Sequence, residues 1–272
     1  MTAAVVPIAR RRVPARGRIV LAAGFAMLVV VLFATDRLVG ARWQPFLEPT
    51  SWRHLGQGLL VTLGMGGLAL VASLCLGVPL GMARAGLSGR TRWLVAGWIE
   101  LVRATPVLAL LLFVFLGLPR LGVDLDAFSS AVIGLTIYNS AVLAEIVRAG
   151  ISSIPAGEVD AARALGLSYR RTMRHVVLPQ AIARMAPAIV SQLITLVKDT
   201  SLAFILGAQE LVGFGRSFFT FYGNPIETYL VVGTLFFIIC YTLSRLSRRL
   251  EARQPAEERV VVLGEEDQIG SA

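Results

Sequence analysis

Lys198 and Asp199 are adjacent opposite charges in a stretch, residues 186–207, that holds no other charged side chain. If that stretch crosses a bilayer, each charge costs at least a few kcal/mol and must face protein or water. Neighbours on a helix point in different directions, so the two cannot neutralise each other along one face. One chemistry they could perform is binding a zwitterion, with the cation meeting a carboxylate and the anion meeting an ammonium group. The other is purely architectural, an ion-pair network between helices. Candidate partners in neighbouring apolar stretches are Glu100, Arg103, Asn139 and Glu145. Glu100 with Arg103, and Glu145 with Arg148, also have the i,i+3 spacing that lets a helical pair satisfy itself locally.

Other chemistry is poorly served. The only histidines, His54 and His175, are far apart, and Cys75 and Cys240 both sit within apolar runs, so neither a metal site, a disulfide framework nor a catalytic triad is expected. No G-x-x-x-x-G-K-[ST] phosphate loop occurs, so the chain is expected not to hydrolyse ATP itself.

The elements that must position these residues follow from composition. Of 272 residues 56% are apolar and only 16% charged, with a mean hydropathy of +0.71. Several near-uncharged stretches reach the roughly 20 residues that cross a bilayer as a helix. The expected fold is an all-α, polytopic integral membrane protein with six spans near 19–39, 55–83, 93–118, 128–149, 186–207 and 227–246. Pro79 and Pro106 are placed to kink their spans, and Gly64, Gly66, Gly67, Gly77 and Gly81 offer close helix packing in the second. The first span also resembles the n- and h-regions of a signal peptide, though its run is long and lacks a clean cleavage site; a retained helix is the expectation.

Arginine placement orients the bundle. With the N-terminus cytoplasmic, 19 of the 26 basic residues fall on the inside and five, Arg37, Arg42, Arg53, Arg120 and Arg216, on the outside. The same distribution argues against nucleic acid as the reason for the net charge of +9. The expected organisation is a basic cytoplasmic N-terminus (1–18), a first span and external loop (19–54), a transmembrane domain (55–250) and a disordered cytoplasmic tail (251–272).

The longest inside loop is patterned. Pro155 and Gly157 break the chain, and Glu158 to Leu165 reads as a short helix, acidic at its start and basic at Arg163 near its end. Gly166 is placed to end it in a left-handed cap. Ser168 can cap a second helix over Tyr169–Leu178 that Pro179 terminates. Small residues at Ala161, Ala162 and Gly166 suit the close approach of a partner protein better than a lipid surface, which would favour Trp, Phe or Leu.

Asp160-Ala161-Ala162, then Gly166, then Val176-Val177-Leu178-Pro179 resembles the EAA loop of ABC-importer permeases, with Asp160 where that family usually has Glu and Val176 where it has Ile. Arg103-Ala-Thr-Pro106, Tyr138-Asn-Ser140, Ala144–Ile151 and Leu196–Leu202 are similar to the polar amino acid permeases, and Gly134–Asn139 with Ile189–Gln192 to glutamate-type members. The resemblance covers about residues 55–250. It implies an ABC importer type I permease fold in which a helix-turn-helix coupling loop (152–180) docks a cytoplasmic ATPase dimer through Gly157, Glu158, Asp160, Ala161, Ala162, Gly166, Leu178 and Pro179. It further implies that Lys198, Asp199, Thr200 and Ser201, with Asn139, Glu145 and Arg103 as candidates beside them, line the substrate path. No cofactor is expected beyond ATP bound by the ATPase. Expected partners are a second permease subunit, an extracytoplasmic solute-binding protein and a polar amino acid, with the chain in the bacterial cytoplasmic membrane and both termini inside. An ion-coupled secondary transporter would also account for Lys198 and Asp199, but it predicts inverted repeats with interrupted helices, and no second copy of the 158–179 pattern is present.

Overall fold

The structure, a computed structural model, describes residues 40–251. The expected first span and the tail beyond Glu251 lie outside the described residues. All regular structure among the described residues is helical. A 3-10 turn, Ala41–Leu47, leads into α1 (Pro49–Gly86). There follow α2 (Gly89–Ala104), α3 (Val107–Gly117) and α4 (Ala127–Ser152). The loop carries α5 (Ala156–Ala164) and the single turn α6 (Tyr169–Thr172). The chain ends with α7 (Leu178–Asp199), α8 (Leu211–Tyr222) and α9 (Pro225–Glu251).

Among the described residues four rods are long and apolar enough to cross a membrane: Pro49–Gly86, Ala127–Ser152, Tyr169–Leu206 and Pro225–Arg249. They match the expected spans 55–83, 128–149, 186–207 and 227–246, though each runs further. The span expected at 93–118 is different. It is a broken pair, bent by 98° between α2 and α3, because Thr105 and Pro106 are extended (ψ 130° and 132°). Proline has no N–H to continue the ladder and holds the preceding residue out of the helical region. Pro79, by contrast, lies inside α1 without ending it.

The bundle centres on α1 against α4. A Cβ at Gly77 would lie 2.7 Å from the Ser140 carbonyl oxygen, and one at Gly81 would collide with the Ala144 carbonyl. Small residues allow this backbone approach, and lipid gives no hydrophobic reason for helices to associate otherwise. Gly64 and Gly67, expected to pack likewise, meet nothing within 4 Å. Met65, Ala69, Leu111, Leu135 and Leu196 fill the middle of the core. Asp126 caps α4 by accepting from Ser129 N at 3.1 Å.

Between the expected spans 186–207 and 227–246 the chain forms a further helix, α8. Its Gly215 lies against Val232 and Thr228 of α9, and Leu211 and Phe214 pack on Gly58 of α1.

Candidate functional site

Two groups of side chains stand out, one in the loop between α4 and α7 and one along α7 itself. In the loop, Gly166 has φ +77°, the left-handed conformation expected of it. Leu167 N donates to Ala162 O at 3.2 Å and Gly166 N to Arg163 O at 2.9 Å. These are the 6→1 and 5→2 bonds of a Schellman cap, closing the carbonyls that a helix end leaves open. Asp160 and Arg163 approach at 4.0 Å on the exposed face. Leu165, 83% exposed, stands at the corner beside Gly166, and Gly157, Glu158, Asp160 and Ala161 are exposed with it. Ala162 is not part of that surface: it is buried against the chain itself.

The return helix also departs from expectation. Ser168 occupies the cap position, but its side chain makes no capping bond. Pro179 ends nothing. The helix passes from α6 through a π turn, Met173–Val177, into α7, and Leu178 stays helical (φ −62°, ψ −43°) although it precedes proline. In an α-helix the Pro179 ring would press on the carbonyl of His175. The wider π turn relieves that clash and absorbs the missing N–H. Packing holds the arrangement: Val177, Ala181 and Met185 pack with Val147 and Ile154, and Val159 of α5 joins them. Gln180 donates to the Glu158 carboxylate and Arg184 to the Ser153 carbonyl. The loop is therefore fixed to the feet of α4 and α7.

Along α7, Lys198 is exposed and Asp199 half-buried. They lie at the junction of α7 with the 3-10 turn Thr200–Leu206, nearer the far end of the rod than its middle. None of the four ion pairs among the described residues includes either of them. Thr200 and Ser201 bond their own backbone, donating to Val197 O and Lys198 O at 2.7 Å each, and Thr200 is fully buried.

The other candidates are separated from this pair. Asn139 is fully buried, donating from Nδ2 to Leu135 O at 2.8 Å and accepting at Oδ1 from Gln192 Nε2 at 2.7 Å. Glu145 accepts from Arg84 Nη1 at 2.6 Å and from Arg148 Nε at 2.8 Å. Glu100 pairs with Arg84 at 3.4 Å, not with Arg103 as its i,i+3 spacing suggested, and Arg103 is exposed. The result is a clasp of α1, α2 and α4 centred on Arg84. In the sequence Arg84 is one of the inside charges, and its place at the end of an apolar run is the signal that could have marked it as a partner for in-span acids.

A third polar contact was not foreseen. Glu210, fully buried, caps α8 by accepting from Val212 N and Gly213 N at 2.9 Å each. Thr62 of α1 stands beside it, its hydroxyl accepting from Leu211 N at 3.0 Å. Burial outweighs these bonds and pushes the Glu210 carboxyl up to about 7.

This geometry is that of a known class of membrane subunit. Residues 76–254 match the family described as binding-protein-dependent transport system inner membrane component, and the chain belongs to it. It is similar to the probable glutamine ABC transporter permease protein GlnP of Bacillus subtilis, 39% identical over 217 residues that span 77% of this chain and 99% of that protein. It is also similar to the glutamate transport system permease protein GluD of Corynebacterium glutamicum, 34% identical over 225 residues, 81% of this chain and 82% of the relative. Among solved structures, an amino acid ABC transporter crystallised with histidines superposes with a TM-score of 0.73 at 28% identity, over 79% of this chain and all of that one. The chain is a permease subunit of the ABC importer class.

Proposed function

We propose that the chain carries a polar amino acid, glutamate or a related one such as glutamine, inward across the bacterial cytoplasmic membrane. The names of its relatives point to that cargo, and the arginine distribution supports cytoplasmic termini and a cytoplasmic loop. The energy comes from a separate ATPase dimer that docks on residues 152–180. The chain binds no nucleotide and performs no hydrolysis of its own. Each permease offers one docking loop, so two permeases, identical or similar, face two ATPases, and an extracytoplasmic solute-binding protein delivers the cargo.

The observation that carries this reading is continuity. The exposed corner at Leu165 and Gly166 stands at the foot of the same rod, Tyr169–Leu206, that bears Lys198 and Asp199. Closure of the ATPases on ATP pushes the two corners together, the rods follow, and the polar faces open outward. Hydrolysis lets them relax, and cargo leaves inward. Lys198 serves the carboxylate of a zwitterion and Asp199 its ammonium group.

Reconstitution tests it. Vesicles containing the permease and its ATPase, supplied with the solute-binding protein, should accumulate labelled glutamate or glutamine only when ATP is available to the ATPase. Accumulation driven by an ion gradient without ATP would overturn the proposal.

A further inference from the structure

Ser191, Gln192, Thr195, Lys198 and Asp199 fall within an arc of about 120° on α7, at 100° per residue. Leu193, Ile194, Leu196 and Val197 occupy the rest of that stretch, with Leu196 and Val197 buried in the core. A polar arc of this width on a membrane rod faces water or protein, not lipid. Gln192 and Asp199 lie nearly in line on it, separated by about 10 Å along the axis.

Gln192 is held from behind by a side chain of α4. The Leu135 carbonyl can only accept, so Asn139 must turn its Nδ2 towards it (2.8 Å) and leave Oδ1 facing α7. That oxygen can only accept, so Gln192 must present Nε2 to it (2.7 Å). The chain of bonds removes the freedom to flip that an amide otherwise has. Asn139 is fully buried, with one N–H on Leu135 and its oxygen on Gln192, whereas Gln192 is half-buried. Its Oε1 and one remaining N–H stay available, an acceptor and a donor on one oriented edge. A carboxamide complements that edge. A carboxylate supplies no donor, and an ammonium group supplies no acceptor.

We propose that Gln192 is a cargo-selecting contact of the translocation path, aligned by the positioning residue Asn139, and that it favours an amino acid with a carboxamide side chain over its carboxylate counterpart. This rests on the amino-acid-import reading above. Lys198 and Asp199 then take the main-chain carboxylate and ammonium of the cargo, and Gln192 reads the side chain.

The test is a ratio. Proteoliposomes holding the permease–ATPase complex, with one solute-binding protein preparation used throughout, are assayed for ATP-driven uptake of labelled glutamine competed by glutamate. The binding protein's own preference is constant across variants, and a ratio does not depend on how much complex has folded. Gln192→Met, close in size but without the amide, should lower the glutamine-to-glutamate preference about tenfold. Asn139→Leu, which frees the amide to turn, should lower it by a smaller factor while Gln192 remains. If Gln192→Met gives no folded complex, Gln192→Asn, which keeps the amide but falls short of Asn139, reads the same ratio and should lower it as well. An unchanged ratio in variants that still transport overturns the selecting role and leaves the import reading intact. Failure of the wild-type complex to take up either amino acid overturns both.

Discussion

The loop between α4 and α7 and the polar seams inside the bundle solve different problems with different chemistry. The corner of the loop is closed by bonds between near neighbours, from Leu167 to Ala162 and Gly166 to Arg163, and its surface is exposed. The seams join residues far apart in sequence, 61 positions for Arg84 with Glu145 and 53 for Gln192 with Asn139, at partly buried positions where losing a partner costs more than it does on an open surface. Damage to the loop should therefore spoil communication and spare the fold. Damage to the seams should spoil the fold first.

The severest test of that contrast is Gly81→Leu. The added side chain has no room against Ala144 and Val147, and separating α1 from α4 should cost about 3 kcal/mol or more. The yield of monodisperse protein in detergent should fall sharply; a normal yield and melting temperature would mean that the helices do not pack this closely.

Arg84→Ala comes next. It removes two ion pairs and leaves Glu145 with Arg148 alone, an expected loss of about 1–3 kcal/mol. A double-mutant cycle with Glu145→Gln should give a coupling free energy well above the ~0.5 kcal/mol of an exposed pair. Additive effects would reduce the clasp to a surface contact.

Gly166→Ala should cost about 1 kcal/mol locally for a side chain at φ +77°, with no change in the melting of the bundle. Its effect should appear instead as weaker co-purification of the ATPase and several-fold slower ATP-driven uptake. Equal loss of melting temperature and transport would erase the distinction between loop and seam.

The smallest effect concerns Glu210 and has a definite sign. Its folded carboxyl, ordinarily near 4.5, sits at about 7, so the neutral form fits the buried cap better than the charged one. Its contribution to stability is present in full below about 4.5 and is lost as pH rises to about 7. Melting temperatures of wild type and Glu210→Gln should therefore diverge across that interval, with wild type falling relative to the variant. Parallel curves would place the carboxyl in water.

Local signals in the sequence carried the loop further than the seams. Gly166 could be assigned its left-handed φ because a helix end, a glycine and a restart lie within ten residues. The apolar lengths marked four rods for the same reason. What escaped depends on contacts between distant segments. Pro179 looks like a terminator by itself, and only the packing of Val177, Ala181 and Met185 keeps its helix running through a π turn. Glu100 could have satisfied Arg103 on its own helix, yet α1 brings Arg84 to it. The 12 residues of α8 are too short to register as a span, and the contact of Gly58 with Leu211 and Phe214 that holds the helix in place is invisible along the chain.

The π turn at Met173–Val177 also sets a phase. It accommodates one residue more than an α-helix would over the same rise, and everything beyond it is turned about the rod axis accordingly. Winding those residues as regular α-helix with none removed would rotate the far segment by about 100° relative to the loop. Gln192 and Asp199 would then point where Leu193 and Thr200 now point. The direction in which the polar arc faces is therefore registered at the cytoplasmic foot of the rod, some 15 or more residues from the side chains it aims.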